Sequence, residues 1–313
     1  IRDAFIREYF SPTGRLCVDT MTAYVVVLYM GLTPEHAVDK VRAGLLNKLA
    51  RNRYHLETGF VGTPYLMRVL SENGMNNYAY HLLLEEGFPG WLYEVLMGAT
   101  TIWERWNSVL PDGRISGTEM NSLNHYSYGS VVEWMFRNMI GINPDEKYAG
   151  YRRFKLAPKP DYSIPQAEGS LRSAAGLIRS GYQLRQGKLT IEAEVPFNTE
   201  AEIQLPDACV DEIRNIASDM DGIIGIRQED SDVILIVLAG TYSFTYRPTK
   251  PYRKIYSLDS LMSDLNENPK TKAILDEYFY SEYKVIPFEK ELFTLRQMLN
   301  GPFTYLPYDM QEK

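Results

Sequence analysis

The sequence contains few cysteines, no long apolar run and no excess of basic residues, and each shortage excludes a class of protein. Cys17 and Cys209 are the two cysteines of 313 residues, too few and too far apart for a disulfide framework or a zinc site. No apolar run approaches the ~18–20 residues of a membrane-spanning helix, so no membrane is expected as a partner. The 33 basic residues against 40 acidic ones give a net charge of −7, which argues against nucleic acid as a partner.

The chain also lacks an initiator methionine and a signal peptide, since Ile1 starts directly on an amphipathic segment. This beginning indicates a mature or excised piece of a longer protein. The two unpaired cysteines favour a reducing, cytoplasmic compartment. Secretion stays open, because a piece without its own N-terminus carries no export signal to read.

Aromatic residues are abundant, with 23 Tyr and 4 Trp. Hydrophobic residues make up 45% of the chain and charged residues 23%, which is typical of a folded protein, and the length suggests two domains. Trp91, Trp103 and Trp106 lie close together in sequence. Because Tyr and Trp have flat apolar faces with a polar edge, they suit both buried cores and sugar-binding clefts.

Residues 1 to about 141 are predicted to be helical. Thr33-Pro34-Glu35 and Thr63-Pro64 are helix-start signals, each followed by apolar residues at helical spacing. The segment 20–32 is apolar on almost every side, which predicts a helix buried on most sides. Gly129-Ser130 opens another helix, which Gly141 ends. With short pieces near 3–9, 77–83 and 91–97, the pattern predicts about seven helices in pairs.

Near residue 151 the apolar period changes to that of β-strands. Apolar residues alternate strictly over 189–195, after a turn at Gln186-Gly187-Lys188. Further strands are predicted at 177–184, 200–205, 233–238 and 242–246. Because no helix is predicted between them, these strands indicate an antiparallel sandwich. Helical spacing then returns from about Ser257, in three groups of apolar residues: Leu258, Leu261 and Leu265; Ala273, Ile274 and Tyr278; Leu292, Leu295 and Met298.

The densest group of chemically versatile residues is the segment Gly98–Trp106. Glu104 stands between Trp103 and Trp106, with Arg105 beside it. Indole faces would exclude water and hold a ring-shaped ligand, and they would decide whether the carboxyl is an ionised base or a protonated acid. The alternative is that both indoles are core anchors and Glu104 pairs with a distant arginine. The spacing alone favours that alternative, because aromatic clusters are usually core.

A second cluster, Met120–Gly129, combines amide, hydroxyl and imidazole groups just before a helix. Such a loop around His125 can hydrogen-bond a polyol. The alternative is a capping loop in which Asn124 or Ser127 satisfies free backbone N–H groups and His125 fills a polar pocket.

Other polar segments are weaker candidates for a site. The segment Thr58–Thr63 has two glycines before a helix but lacks the lysine of a phosphate loop, so it is predicted to be a tight turn. His36, His55 and His81 have no carboxylate at ligand spacing, and no metal or cofactor is expected. An acidic run between residues 219 and 232 favours a solvated turn over a calcium site.

Taken in order, several of these segments resemble the C-terminal part of bacterial α-L-rhamnosidases of glycoside hydrolase family 78. The resemblance covers roughly the first 200 residues in register and runs through six segments: Asp19–Tyr24, Thr58–Leu66, Leu70–Gly74, Gly98–Trp106, Asn121–Tyr126 and Phe154–Pro160. The tail after about residue 255 resembles helical extensions of some such enzymes to a lesser degree.

The resemblance implies a multidomain α + β fold, with part of an (α/α)6 barrel followed by an antiparallel β-sandwich. Residues 1–150 would then be the second half of the barrel, 151–250 the sandwich, and 251–313 a helical C-terminal extension. It also implies hydrolysis of terminal α-L-rhamnosides with inversion, in which one carboxyl protonates the leaving oxygen and a carboxylate opposite deprotonates water.

The resemblance assigns site residues as well. Glu104 corresponds to the general base and His125 to a residue that hydrogen-bonds the sugar, while Trp103 and Trp106 would wall the pocket. Arg105 would help to keep Glu104 anionic if its guanidinium pointed that way, although adjacent residues of a helix do not share a face.

Two departures from the family pattern limit this transfer. Met21 stands where the family usually has Gln. The family's general acid lies in an upstream Asp/Arg/Glu-rich stretch followed by Gly-Trp, and nothing here matches that stretch. About seven helices, against the twelve of a complete barrel, imply that the missing half comes from the same parent chain or from another chain. The 313 residues alone are therefore predicted to be inactive.

Two alternatives to a rhamnosidase fragment are kept. One is a non-catalytic sugar-binding or assembly module that uses exposed aromatics of the sandwich such as Tyr182 or Tyr242. The other is a different (α/α)-barrel glycosidase, such as a trehalase-like hydrolase.

Overall fold

A computed structural model describes residues 1–258, 260–278 and 293–300. The chain divides into two compact units, Ile1–Arg253 and Lys254–Lys313. In the first unit helices precede strands, as the change of apolar period predicts.

Seven α-helices form the N-terminal part of the first unit, and they confirm the predicted helical region. Their bounds are α1 Arg2–Tyr9, α2 Met21–Tyr29, α3 Val38–Arg51, α4 Thr63–Glu72, α5 Asn76–Leu84, α6 Trp91–Leu96 and α7 Val131–Trp134. Helix α7 continues as a π-helical turn over Met135–Met139. Helix α4 shows why the start and stop signals work: Pro64 occupies its first turn, and Gly74 follows it with φ +78°.

Helix α2 is buried or half-buried along its whole length. Met21, Val25 and Val27 are fully buried, and the other six residues of the helix are half-buried. The helix packs against α3 and α4, and Val27 also belongs to an apolar cluster with Phe10, which follows α1. The expectation of a helix buried on most sides therefore agrees with the structure.

The strands form two sheets that face each other across an apolar core. Their bounds are β1 Ile142–Pro144, β2 Arg153–Leu156, β3 Gln166–Ser173, β4 Gly176–Arg185, β5 Lys188–Val195, β6 Glu200–Leu205, β7 Ile223–Glu229, β8 Asp232–Val237 and β9 Gly240–Tyr246. One sheet has the order β1-β2-β6-β8-β7, and the other has the order β3-β4-β5-β9. Alternate residues of β5, among them Leu189 and Ile191, are buried because they point between the sheets.

The sandwich departs from the prediction at two places. Strands β2 and β6 pair in parallel, with Phe154 opposite Ala201, whereas all other pairs in the two sheets are antiparallel. A helix, α8 (Val210–Ala217), lies between β6 and β7, where no helix was expected. It buries Ile213 and Ala217 and packs against β7 and β9, the edge strands of the two different sheets, so it does not interrupt either sheet.

Lys159 joins the helices to the sheet within the first unit. Its ammonium group donates to the Ser71 carbonyl at 2.9 Å, and its own carbonyl accepts from the Tyr80 hydroxyl at 2.8 Å. Desolvation lowers the pKa of the Lys159 ammonium. The segment after β2 therefore reaches between α4 and α5.

The second unit contains α9 Met262–Glu267, α10 Pro269–Tyr278 and α11 Leu295–Asn300. Met262 and Leu265 are buried, which confirms helical packing in the described part of the C-terminal extension. Leu258 and Leu261 precede α9, and Leu292 lies outside the described residues. Across the described residues of both units, none of the helices has the length and apolar content that spanning a membrane requires.

Candidate active site

The segment that carries Glu104 is a loop and not a helix, which corrects the helical setting assumed from its sequence. Helix α6 ends at Leu96, and Gly98 follows with φ +84°, a left-handed conformation that glycine adopts without strain. From there to Tyr126 the chain forms no helix. Its backbone groups bond across the loop instead.

Glu104 and His125 lie on two segments that hydrogen-bond to each other. The His125 N–H donates to the Ile102 carbonyl at 2.8 Å, and the Glu104 N–H donates to the Ser122 carbonyl at 2.9 Å. The structure therefore brings together two predicted site residues that are 21 positions apart in sequence.

The Glu104 carboxylate is held at one oxygen. The Ser122 N–H donates to Glu104 Oε2 at 2.7 Å, and Oε1 accepts no hydrogen bond from the described residues. The side chain is half-buried. A carboxylate that is anchored at one oxygen and unengaged at the other is suited to accept a proton from water.

His125 is fixed by a backbone contact and by two rings. Its Nδ1 accepts from the Ser127 N–H at 3.2 Å, which leaves the ring proton on Nε2 as a donor. Phe60 and Tyr126 stack on the imidazole at centroid distances of 5.0 and 4.9 Å. The capping alternative named Asn124 or Ser127 as the capping group, whereas here the imidazole accepts from the Ser127 N–H.

Trp103 and Trp106 are buried, with 3% and 9% of their surfaces exposed, which agrees with the alternative of core anchors. Trp106 stacks on Tyr128 at 3.9 Å and meets Trp91 edge-on at 5.3 Å. Its Nε1 donates to the Thr58 carbonyl at 3.4 Å. The indole thus packs on the turn that carries Phe60 and on the loop that carries His125.

The segment Thr58–Thr63 is a tight turn, as predicted, and it contributes a ring that the sequence reasoning missed. The Thr58 and Thr63 hydroxyls lie 2.8 Å apart, and the Thr63 hydroxyl is also 3.0 Å from the Thr58 carbonyl. This closed turn leaves Phe60 42% exposed beside His125. In the sequence, the signal for this ring was an aromatic residue between two glycines, Gly59 and Gly62.

Arg105 does not bond to Glu104. Its guanidinium donates to the Glu119 carbonyl at 2.6 Å, and its backbone N–H donates to the Ser108 hydroxyl at 3.1 Å. Arg105 therefore stabilises the loop between the two site segments, and neither it nor another arginine forms an ion pair with Glu104 among the described residues.

Glu94, in α6, is a second carboxyl close to this segment, and the sequence reasoning overlooked it. It is 2% exposed, and its Oε2 accepts from the Trp103 N–H at 3.2 Å. Burial raises the pKa of Glu94 to about 7, while the Trp103 N–H opposes this shift. The pKa of Tyr128 is raised by its own burial and also by Glu94.

Two further expectations concern other ligands. Within residues 1–258, 260–278 and 293–300, no group of three or more His, Cys, Asp or Glu side chains is arranged to hold a metal ion. Tyr182 and Tyr242 are buried, at 4% and 3% exposed, and donate to the Ile164 and Leu238 carbonyls. The expectation that they are exposed sugar-stacking residues was wrong, because both rings are buried and their hydroxyls are bonded within the protein.

Two family models match the chain. Residues 1–139 match the bacterial alpha-L-rhamnosidase 6 hairpin glycosidase domain, and residues 141–216 match the bacterial alpha-L-rhamnosidase C-terminal domain. These matches confirm the predicted fold class of part of an α/α barrel followed by a β-sheet domain.

Curated relatives and solved structures agree with the family models. An alpha-L-rhamnosidase of Streptomyces avermitilis is 39% identical over 246 residues, which are 78% of this chain and 23% of that protein. An alpha-L-rhamnosidase of Formosa agariphila is 36% identical over 72% of this chain and 24% of its own length. The chain spans about a quarter of the length of these curated relatives.

Two solved structures share the fold of the chain. The structure of the Streptomyces avermitilis alpha-L-rhamnosidase complexed with L-rhamnose has a TM-score of 0.71 and 37% identity, and it covers 78% of this chain and 23% of that one. The native enzyme of Aspergillus terreus has a TM-score of 0.69 and 29% identity, over 80% and 26% of the two chains.

Proposed function

Because the chain belongs to the family of bacterial α-L-rhamnosidases, we propose that it supplies the general base and part of the sugar site for hydrolysis of terminal α-L-rhamnosides. The observation that carries this proposal is the Glu104 carboxylate, half-buried and anchored through Oε2 to the Ser122 N–H. Its other oxygen is unengaged among the described residues and can take a proton.

In the proposed reaction Glu104 Oε1 accepts a proton from water. The water oxygen bonds to the anomeric carbon of rhamnose as the glycosidic C–O bond breaks on the opposite face, so the configuration inverts. A general acid gives the leaving oxygen its proton. In inverting enzymes the two carboxyl groups stand ~6.5–9.5 Å apart, which leaves room for the water.

The rings beside Glu104 are proposed to bind the sugar. His125 Nε2–H can donate to a hydroxyl of rhamnose, because Nδ1 is already engaged by Ser127. The exposed face of Phe60 offers an apolar surface next to it. Trp103 and Trp106 are proposed to form the floor of the sugar pocket. They are almost fully buried, so only small edges of the two indoles could contact the sugar.

The general acid and the remaining barrel helices are proposed to come from outside these 313 residues. About three quarters of the sequence of the longer relatives lies outside the matched part, which supports this proposal. We also propose three domains, at 1–150, 151–250 and 251–313. The two family models meet at residue 140, and the compact units separate between Arg253 and Lys254, which supports domain borders close to those positions.

A cytoplasmic location is proposed from the two cysteines, which are free and exposed. Fractionation of cells that make the parent protein tests it, since recovery in the culture medium would contradict this location.

The test of the proposed function uses the full-length parent protein and an aryl α-L-rhamnoside. Glu104→Gln should lower kcat by on the order of 10³-fold or more, because the amide cannot accept the proton. Proton NMR of the first turnover should show the anomer opposite to that of the substrate. The 313-residue chain alone should be inactive, because it has a base and no acid.

Glu146→Gln is the matched control, because Glu146 is an exposed carboxylate outside the site. It should retain activity. Full activity of Glu104→Gln, or turnover by the isolated chain that Glu104→Gln abolishes, would contradict the proposal in two different ways. The first would remove the base, and the second would show that the acid lies within this chain.

A further inference from the structure

Glu94 is a carboxyl that the proposed reaction does not use. It lies in the middle of α6 with 2% of its surface exposed. A buried carboxyl is costly unless its oxygens are paired, so its contacts indicate its role.

Both the backbone and the side chain of Glu94 bond to the segment that leads to the base. Its carbonyl accepts from the Ala99 N–H at 2.9 Å, and Oε2 accepts from the Trp103 N–H at 3.2 Å. One residue of a helix thus holds both ends of a five-residue stretch that has no regular secondary structure. The next residue after that stretch is Glu104.

The bond to Trp103 completes the hydrogen bonding of this stretch. The Ile102 carbonyl accepts from the His125 N–H, and the Glu104 N–H donates to the Ser122 carbonyl. The two residues next to Trp103 in sequence therefore both bond to the segment that carries His125. The Trp103 N–H points the other way, toward Glu94. Without this acceptor a buried N–H group would lose its partner, and the main chain at Trp103 would lose its bond to α6, while the backbone bond between Ala99 and Glu94 would remain.

From this geometry we propose that Glu94 is a positioning residue for the base: it ties the main chain at Trp103 to α6 and thereby sets the direction of the Glu104 side chain. The inference rests on the proposed function, since it assigns Glu94 to the same site. A displacement of about 1 Å in a catalytic group can cost on the order of 10²-fold in rate, which is why such a tie matters.

The surroundings of Glu94 make its tie sensitive to pH. Glu94 Oε1 is buried without a hydrogen-bond partner among the described residues, and the Trp103 N–H is the single donor to the carboxyl. The titratable group near it on another element is the Tyr128 phenol, whose pKa Glu94 raises, and no Lys, Arg or His side chain forms an ion pair with Glu94 in the described parts of the chain. Ionisation therefore places an uncompensated charge in a dry site, which favours opening of the loop.

The experiment compares variants of the full-length parent protein on an aryl α-L-rhamnoside. Glu94→Leu keeps a similar volume but lacks the acceptor, and it should lower kcat at least about tenfold while KM changes less. Glu94→Gln keeps an acceptor oxygen without an ionisable group, and it should recover most of the activity that Leu loses.

The pH profile separates positioning from a merely structural role. The ratio of kcat/KM for Glu94→Gln to that of the unsubstituted protein should rise by on the order of tenfold between about pH 6 and about pH 8, because only the carboxyl ionises there. Glu86→Gln is the matched control, since Glu86 is exposed on the loop before α6 and its ratio should stay constant.

A constant ratio for Glu94→Gln, or a Glu94→Leu variant with full kcat, would overturn the inference. Circular dichroism and the melting temperature of each variant identify loss of folding, and the Gln variant keeps the test informative if Leu unfolds. If Glu104→Gln is inactive while the Glu94 variants match Glu86→Gln, this inference fails and the proposed function stands. If Glu104→Gln is fully active, the proposed function fails.

Discussion

The hydroxyl groups of Tyr80 and Tyr182 lie 3.1 Å apart and join helix α5 to strand β4 across 102 residues of sequence. Each phenol oxygen also lies within hydrogen-bond distance of a backbone carbonyl, Tyr80 of Lys159 at 2.8 Å and Tyr182 of Ile164 at 3.0 Å, so two O–H protons serve three contacts. Burial raises the pKa of Tyr182 to about 12 and that of Tyr80 further, so both hydroxyls stay protonated at neutral pH.

Tyr80→Phe and Tyr182→Phe should each lower the free energy of unfolding by about 1 kcal/mol, because each removes one donor from a buried carbonyl. The double variant should lose less than the sum of the two, since the hydroxyls contact each other. Urea unfolding of the isolated chain measures all three variants. Strict additivity would mean that the contact between the two phenols contributes no stability.

Gly141→Ala should strongly destabilise the chain. Gly141 has φ +79°, and an added Cβ would lie 2.2 Å from the Ala157 carbonyl carbon and the Pro158 nitrogen. We expect a loss of at least about 3 kcal/mol in the free energy of unfolding, because both the backbone conformation and the space exclude a side chain. Gly187→Ala is the control: Gly187 has φ +73° with nothing within 4 Å of an added Cβ, so it should lose only about 1 kcal/mol. Equal losses would show that the close approach to Ala157 is relieved without cost.

The raised pKa of Glu94 should make the free energy of unfolding decrease as the pH rises. Its pKa is about 7 in the folded chain against an ordinary value of 4.5, so between these values the folded state holds more protons than the unfolded state. The contribution of Glu94 to stability is therefore present below pH 4.5 and is lost as the pH rises to about 7. Glu94→Gln has no such group to ionise. The free energy of unfolding of the variant, minus that of the unsubstituted chain, should therefore increase between pH 4.5 and about 7, by on the order of 3 kcal/mol at most.

Urea unfolding of the isolated chain at several pH values measures this difference. Glu86→Gln should give a difference that does not change with pH, since Glu86 is exposed. A Glu94→Gln difference that is constant from about pH 4.5 to about pH 7 would contradict the raised pKa of the buried carboxyl.

Phe60→Ala should weaken sugar binding in the full-length parent protein. Phe60 stacks on His125 with an interplanar angle of 10°, and the loss of this ring frees the imidazole to rotate. We expect KM for an aryl rhamnoside to rise by about three- to tenfold, since aromatic pairs contribute ~0.5–1.5 kcal/mol. Phe197→Ala, at a 77% exposed ring beside β5, should leave KM unchanged. An unchanged KM for Phe60→Ala would exclude this ring from the sugar site.

The elements that the sequence predicted well are those with a strong apolar period. Helix α3 buries Val41, Leu45 and Leu49, and strand β5 buries every second residue from Leu189. In both, one face meets the core along the whole element, so the pattern is complete.

Two of the strands that went unpredicted lack such a face, and a third, β2, has one over only four residues. Strand β3 has no fully buried residue, and strand β7 has a register shift between Ile223 and Gly225 that breaks the alternation. The parallel pairing of β2 with β6 is a tertiary relationship that no local pattern contains.

The candidate site divides in the same way. Glu104 and His125 were found through resemblance, and the structure adds that their segments are hydrogen-bonded to each other. Glu94 was missed because an acid in the first turn of a short helix normally faces water. Its burial depends on a loop that folds back over α6, and this fold-back follows from hydrogen bonds to residues about 20 positions further along the chain.

The contacts around Lys159 join the helices and the sheet of Ile1–Arg253 across the proposed domain border at residue 150, so the two parts stabilise each other. A chimera whose sheet came from a protein without a lysine at the position of Lys159 would leave the Ser71 carbonyl without its ammonium donor. A stable chimera would have to take α4, α5 and the segment after β2 from the same protein.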